Sequence, residues 1–490
     1  MATALVIGTV IGSGVFKKPS AVAKDVPEFG LAIAAWILVG VLALMGALVL
    51  AEIAVLLPRA GGNYVFLREA YGRWAGFLWG WVEFWIIRSA SIAALATIFA
   101  DSLHDILREV SSLPTDQEVL TFWQRKGLTI GVIAVLACVN ARGTLLSGGL
   151  QVVVTSVKVI ALVCIALLPF VFMAGVSPHT GAVTFNNLAP VWPADWLRVD
   201  WSRFGGALVG VLWAYHGWMN IAPVAEEVRD PRRNIPLSLL VGTLTVMAVY
   251  VAANFAYYLV VPVPVMTVRD APPAAALFGL RLFGPLGMMI ASGAIMTSVF
   301  GSLNGNLLVG PRLLFAMGRD GLAPQLLSRL HARWHTPAWA TGIFACWSIL
   351  LVVITGMMVQ NLMPVIDLGW SKLNLNLDAT TDPFDLLTNY VIFGATAFET
   401  LAVASIFVLR HRHGTGAEAP YRSPLYPWLP LVYVLAMGAV LVNMFWTKRT
   451  EAYAAVGFIA VGAAIYALLL AGKNPPTGAE DAIADANPGC

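Results

Sequence analysis

Apolar residues run along the chain in long blocks separated by short polar joints, near 2–24, 30–57, 74–100, 127–141, 149–174, 203–227, 236–262, 284–316, 338–360, 386–409, 425–446 and 452–472. About 20 apolar residues in a helix cover the hydrocarbon core of a bilayer, so the pattern predicts an all-α polytopic membrane protein with twelve transmembrane helices. Several blocks exceed that length, which points to tilt or to extension past the bilayer, and no joint is long enough for a separate soluble domain. The joint 58–73 reads as a short interfacial helix. The polar stretches 101–126 and 367–385 read as external loops, the second a mobile excursion carrying Asn374, Asn376, Asp378 and Asp382. Residues 1–16 lack a charged n-region and a cleavage site and read as the start of a span, and the Pro-, Gly- and acid-rich segment 473–490 as a disordered tail.

Two blocks are interrupted. In the first, Gly8-Thr9-Val10-Ile11-Gly12-Ser13-Gly14 places glycines around a serine, at a helix-propensity cost of about 1 kcal/mol per glycine. In the sixth, Gly205, Gly206 and Gly210 precede Trp213-Ala214-Tyr215-His216-Gly217-Trp218 and then Pro223. Close helix packing through small residues is one reading of such glycines. Unwinding is the other, and backbone freed inside a bilayer survives only where it faces protein, water or a ligand. Interrupted helices at corresponding positions of two halves favour unwinding and a carrier whose site lies at the bilayer midplane, with spans 1–5 and 6–10 as repeats of opposite orientation.

Composition adds limits. With 59% apolar and 12% charged residues the chain cannot cover itself with a soluble surface, and a net charge of +3 without a basic patch excludes a nucleic-acid partner. Cys138, Cys164 and Cys346 lie inside apolar blocks and read as core packing; no metal spacing, nucleophile elbow or phosphate loop is present, so no cofactor and no enzyme activity are expected. Most loop arginines, from Arg59 and Arg68 to Arg410 and Arg422, fall on one side, with a minority of charges such as Lys17, Lys24 and Arg125 opposite; the positive-inside rule then puts both termini in the cytoplasm.

Ionisable residues inside the blocks are functional candidates by default. Glu83 and Arg88 can pair with each other, Glu52 can reach Arg59 or water, and Glu399 has no evident partner. Glu226 and Glu227 precede Arg229, Arg232 and Arg233 and read as an inner-gate ion-pair cluster. His216 admits two readings: a group that titrates near neutrality and makes transport pH-dependent, or a neutral, hydrogen-bonded buried imidazole. Lys158 lies about 12 Å inside its span and needs a partner.

Gly8–Phe16, EFWIIRSAS (83–91), WAYHGWMNIAPVAEEVRDPRRN (213–234) and FGSLNGNLLVGPR (300–312) resemble the L-type amino acid transporters, the light chains of heteromeric amino acid transporters and their bacterial relatives in the amino acid-polyamine-organocation superfamily. The likeness runs from residue 1 to about 470. It implies a LeuT-like 5+5 inverted-repeat fold with helices 1 and 6 discontinuous, repeat one at 1–174, repeat two at 202–410 and two further spans at 425–472. It further implies a sodium-independent secondary transporter of amino acids in the cell membrane that works by alternating access and frequently exchange. Ile11, Gly12, Ser13 and Gly14 would surround the substrate carboxylate; carbonyls near Ile11 and at Trp213, Ala214 and Tyr215 would accept from its ammonium; His216 and Gly217 complete the second break, and Trp213 matches a gate. Lys158 would replace a sodium ion, donating to carbonyls at Gly8–Ile11 and to the Ser298 hydroxyl.

Departures from the family's pattern are His216 in place of a common glycine, Met219 in place of a common asparagine, and Gly394-Ala395 in the tenth span. The loop 102–126 lacks the cysteine that joins animal members to a heavy chain, so no disulfide-linked heavy chain is expected. No carboxylate stands at the matched positions of spans 1 and 6, which favours neutral amino acids over cationic ones or polyamines; a non-transporting membrane amino-acid sensor is the alternative from another class.

Overall fold

The computed structural model describes residues 2–111, 118–173, 183–268, 271–364, 366–367, 372–373, 376, 383–413 and 421–472. Its helices are α1 (Ala2–Val10), α2 (Gly14–Asp25), α3 (Phe29–Leu56), α4 (Asn63–Tyr71), α5 (Arg73–Val82), α6 (Ser89–Ser111), α7 (Phe122–Ala141), α8 (Thr144–Met173), α9 (Trp201–Tyr215), α10 (Pro231–Val260), α11 (Val263–Met266), α12 (Ala274–Phe283), α13 (Pro285–Arg319), α14 (Ala338–Val359), α15 (Pro383–His413), α16 (Trp428–Thr447) and α17 (Arg449–Leu469). A π-helical turn, Glu83–Arg88, joins α5 to α6, and a 3₁₀ segment, Trp218–Glu227, follows α9.

Among the described residues, ten helical stretches are long and apolar enough to cross a membrane, the longest being Arg73–Ser111 at 39 residues, where the sequence pattern predicts a shorter span over 74–100. The two interrupted blocks form helix pairs, α1 with α2, broken around Gly12–Gly14, and α9 with the 3₁₀ segment, broken at His216–Gly217, whereas Gly205, Gly206 and Gly210 lie inside unbroken α9. The interfacial helix expected at 58–73 is α4. Short helices α11 and α12 between α10 and α13 have no clear signal in the pattern, because their apolar residues merge with the flanking blocks. Within 367–385, Ile366–Asp367 pairs antiparallel with Lys372–Leu373; Asn374, Asp378, Asp382 and the tail 473–490 lie outside the described residues.

The interior packs α1 against α8, α10 and α13, α2 against α9, and α3 against α9 and α10. The exterior is as apolar as the interior: Val153, Leu167, Leu435 and Leu468 are all more than half exposed, as lipid-facing residues are in a helical bundle. Cys138, Cys164 and Cys346 belong to this outer surface and not to the core packing expected of them, because hydrocarbon accepts a thiol as readily as the core does.

Glu52, 2% exposed, takes two hydrogen bonds from Arg410, Nε at 2.8 Å and Nη2 at 2.7 Å, and one from the Ser423 amide at 2.6 Å, in place of the expected Arg59. Sequence distance hid this pair, since the partners stand on α3 and α15. Arg410→Ala leaves that carboxylate short of its cation, a loss of about 3–5 kcal/mol for a buried pair; thermal unfolding in detergent should show a clearly lowered midpoint, and an unchanged one would remove this pair from the fold's supports.

Candidate functional site

The two breaks face each other. The amides of Gly12, Ser13 and Gly14 make no backbone hydrogen bond among the described residues, since α1 ends at Val10 and α2 begins at Gly14. They form the N-terminal end of a 12-residue helix, where unpaired N–H groups and the helix dipole suit an anion. Against it stands the C-terminal end of α9, closed at His216 and turned by Gly217 at φ +109, a left-handed conformation natural to glycine. A Cβ on Gly14 would collide with the backbone of Ala214, so the two half-helices cross at van der Waals contact and only glycine fits there. Replacing Gly14 by a β-branched residue would therefore disturb packing as well as the exposed amides.

The first break is held by side chains from three other helices. Lys158, 1% exposed on α8, donates to the carbonyls of Gly8 and Ile11, both at 2.7 Å, and to Ser302 Oγ at 3.0 Å. Ser302 in turn donates to Gly8 O at 2.9 Å and Ile11 O at 2.8 Å. Ser298, expected at the lysine, instead caps the carbonyls of Ile11 at 3.2 Å and Gly12 at 3.0 Å, because it lies one turn before Ser302 along α13. Tyr250 on α10 donates to both breaks, to Val10 O and Ala214 O at 3.0 Å each.

Between the breaks lies a small cavity of about 20 Å³, room for roughly one water. From the expected set, Gly12, Ser13, Gly14, Trp213, His216 and Gly217 line it. Ile11 does not, and its carbonyl is already occupied by Lys158, Ser298 and Ser302, so the expectation that it meets an ammonium is not supported by the geometry. Ala214 packs on Gly14, and the Tyr215 ring turns away toward Trp36 and Tyr250. Trp213 Nε1 reaches Ser13 Oγ at 3.4 Å across the cavity, and the Trp213 ring meets Phe384 edge to face at 5.8 Å.

Further lining residues, Ser91, Leu95, Asn220 and Asn306, escaped the sequence reading. Polar residues inside apolar blocks were the available signal, and both asparagines sit within the quoted motifs. They are held by Arg88, which donates to Asn306 Oδ1 at 2.6 Å, to Asn220 Oδ1 at 3.0 Å and to Glu83 through Nε at 2.8 Å, the ion pair expected within the third span. The π turn brings Glu83 and Arg88 onto one face at a spacing an α-helix would not give.

Glu399, without an evident partner in sequence, stands on α15 with Oε1 3.1 Å from His216 Nδ1. The separation is that of an ion pair, but the alignment is not that of a hydrogen bond, and this buried oxygen has no hydrogen-bond partner.

One turn beyond Thr9 and Asn220, a separate apolar cluster of Leu5, Val224, Leu308 and Val309 closes the bundle, and Leu5, Val224 and Leu308 border a vestibule of about 610 Å³. Glu227 there pairs with Arg312 at 2.9 Å and Glu226 with Arg319 at 3.6 Å; the nearby Arg229, Arg232 and Arg233, which sequence proximity suggested, are not the partners. On the same helix end, Arg68 pairs with Asp320, and Tyr64 donates to Asp320 Oδ2 at 2.5 Å. Burial, then the Asp320 carboxylate, push the Tyr64 phenol well above its ordinary value, so it remains a donor.

A family model described as amino acid permease matches residues 1–473. The chain belongs to the amino acid permease family. The permease is 31% identical over 451 residues to the serine/threonine exchanger SteT of Bacillus subtilis, covering 90% of each chain. It is 26% identical over 483 residues to the human large neutral amino acids transporter small subunit 2, covering 97% of this chain and 80% of that one. To the human cystine/glutamate transporter it is 28% identical over 425 residues, 86% of this chain and 75% of that one. It is accordingly a multi-pass membrane transporter of the amino acid class and not an enzyme.

Removing the Tyr250 hydroxyl frees one carbonyl on each broken helix at a cost of about 1–3 kcal/mol for buried unpaired groups. In Tyr250→Phe, thermal stabilisation by amino acids should therefore weaken while the protein still folds; stabilisation equal to that of the native permease would show that this phenol does not hold the site.

Proposed function

We propose that the permease is a sodium-independent secondary transporter of neutral amino acids that works by alternating access, exchange included, with the LeuT-like arrangement of two inverted repeats at 1–174 and 202–410, two further spans at 425–472 and both termini cytoplasmic. The carrying observation is the cavity between the opposed ends of α2 and α9, which no carboxylate, lysine or arginine lines among the described residues. The substrate carboxylate takes the amides of Gly12, Ser13 and Gly14 and the Ser13 hydroxyl; the ammonium lies at the negative end of α9, toward the carbonyls of Trp213 and Tyr215, since that of Ala214 already accepts from Tyr250. Trp213, spanning the cavity to Ser13, acts as the gate on one side. The pairs of Glu226 and Glu227 with α13 act on the other, separating as the vestibule opens.

An amino acid exceeds the present cavity, so its entry displaces the walls, and the small, polar lining of Ser13, Ser91, Asn220 and Asn306 favours a compact side chain. The names of the relatives, serine/threonine exchanger and large neutral amino acids transporter, agree with a neutral substrate. A cationic substrate would call for a carboxylate in the lining, and Glu399 stands behind His216 instead. No cysteine occurs in 101–126, in keeping with a carrier that has no disulfide-linked heavy chain.

Sodium independence rests on Lys158. Its ammonium occupies, between α1 and α13, the place where a cation would be needed to satisfy the carbonyls of Gly8 and Ile11. In proteoliposomes preloaded with L-serine, L-threonine or L-leucine, counterflow of at least one of them should proceed at full rate in sodium-free buffer. Lys158→Ala should lower it at least tenfold with the protein still folded. An absolute sodium requirement, or undiminished counterflow in that variant, would overturn the assignment.

A further inference from the structure

We propose that His216 and Glu399 form a proton site whose occupancy is coupled to that of the amino acid, so that substrate and proton bind together and cross together. The proposal rests on the substrate site described above.

His216 lines three cavities: the substrate cavity, a second one bounded by Glu399, and a third bounded by Glu83 and Arg88. Its imidazole is therefore a wall common to the substrate and to Glu399. The two side chains are 12% and 7% exposed, at 3.1 Å. Around them, α3 presents Val39, Leu42 and Ala43 and α16 presents Tyr433 and Met437, none of them charged at the working range. From α9 comes Tyr215, from α13 Asn306, and from the π turn Glu83, which is already committed to Arg88. Lys17 and Lys18 of α2 lie beyond Trp213, over the Phe384 ring at 4.3 and 4.9 Å from its centre. Among the described residues, Glu399 is thus the carboxylate at ion-pair distance from His216, and its Oε1 has no hydrogen-bond partner.

Charge balance supplies the coupling. An imidazole and a carboxylate together are neutral only when they hold one proton. Without it, a bare carboxylate with an unbonded oxygen faces an apolar wall, an arrangement tolerated only while water reaches it. An amino acid filling the cavity displaces that water from the His216 side, so the substrate-loaded, closed carrier keeps the proton on the pair. By linkage, the proton in turn strengthens amino-acid binding by the same factor. The His216 ring lies nearly parallel to Trp213, at 14° and 6.5 Å between centres, which connects the state of the pair to the gate. No bond is made or broken: a proton enters from water on one face and leaves to water on the other. A zwitterion crossing with it carries one positive charge.

The test starts with the purified permease in sodium-free detergent, screened for thermal stabilisation by each of the twenty common L-amino acids. The best stabiliser is then titrated calorimetrically at pH 5.5–8.5 in buffers of differing ionisation enthalpy. The native protein should take up close to one proton per amino acid bound somewhere in that range, with affinity rising up to about tenfold per pH unit of acidification there. Glu399→Gln should bind with less than a tenth of that proton uptake and a flat pH dependence, and His216→Gln should do the same if either variant binds. Binding by the native protein without proton uptake, or with proton release, overturns the proposal, as does unchanged uptake in either variant. Stabilisation by none of the twenty would instead overturn the substrate-site reading on which it stands.

Discussion

In hydrocarbon, a backbone carbonyl that loses its helical partner has to be given another, and that constraint governs the centre of this molecule. Unwinding at Gly12–Gly14 and again at His216–Gly217 creates the polar ends that an amino acid can use, and it also strands carbonyls facing the wrong way. Lys158, Ser298, Ser302 and Tyr250 are arranged on α8, α13 and α10 to take those carbonyls. Among the described residues the amides of Gly12, Ser13 and Gly14 are left without a backbone hydrogen bond, and these three residues line one small cavity. The surrounding fold is the scaffold that permits a break of this kind to be stable twice.

Much of this was legible in the chain, for identifiable reasons. Hydrophobic blocks mark lipid-facing and core-facing residues alike, so span positions followed from them, whereas burial within a span did not; the three cysteines were assigned inward and lie outward. Gly12, Gly14 and Gly217 stand at the breaks, because propensity is local, yet Gly205, Gly206 and Gly210 sit inside continuous α9, where packing overrides it. Partners across helices were another matter. Glu52 with Arg410, His216 with Glu399, and Lys158 with Ser302 join residues 358, 183 and 144 positions apart, and no local pattern encodes such contacts. The misplacement of Ser298 by one helical turn shows the grain of the inference: the right helix and face, the wrong rung. The π turn at Glu83–Arg88 left no trace in composition, yet it decides that Arg88 can hold Asn220 and Asn306 together.

The charges divide into two kinds by place. Toward the middle they are few and bound into the site, as Glu83 with Arg88 and Glu399 beside His216. Toward the end of α13 they form a belt, Arg312, Arg319 and Asp320 meeting Glu227, Glu226 and Arg68. Belt pairs that reach water exchange one solvation for another at small net cost, of order 0–1 kcal/mol when exposed. Glu226 with Arg319, about 40% exposed on both sides, is a pair of that inexpensive kind, whereas Arg312, 5% exposed, and the buried Glu83 and Arg88 are costly to separate.

The cluster of Leu5, Val224, Leu308 and Val309 carries a consequence of its own. The four aliphatic side chains pack together one turn beyond the substrate cavity, and a contact of this kind offers water no hydrogen-bond partner. Any passage opened along this route would have to carry water through that contact. Exposing those four side chains to water costs about 25 cal/mol per Å² of apolar surface, a barrier to leakage that depends on no charged pair.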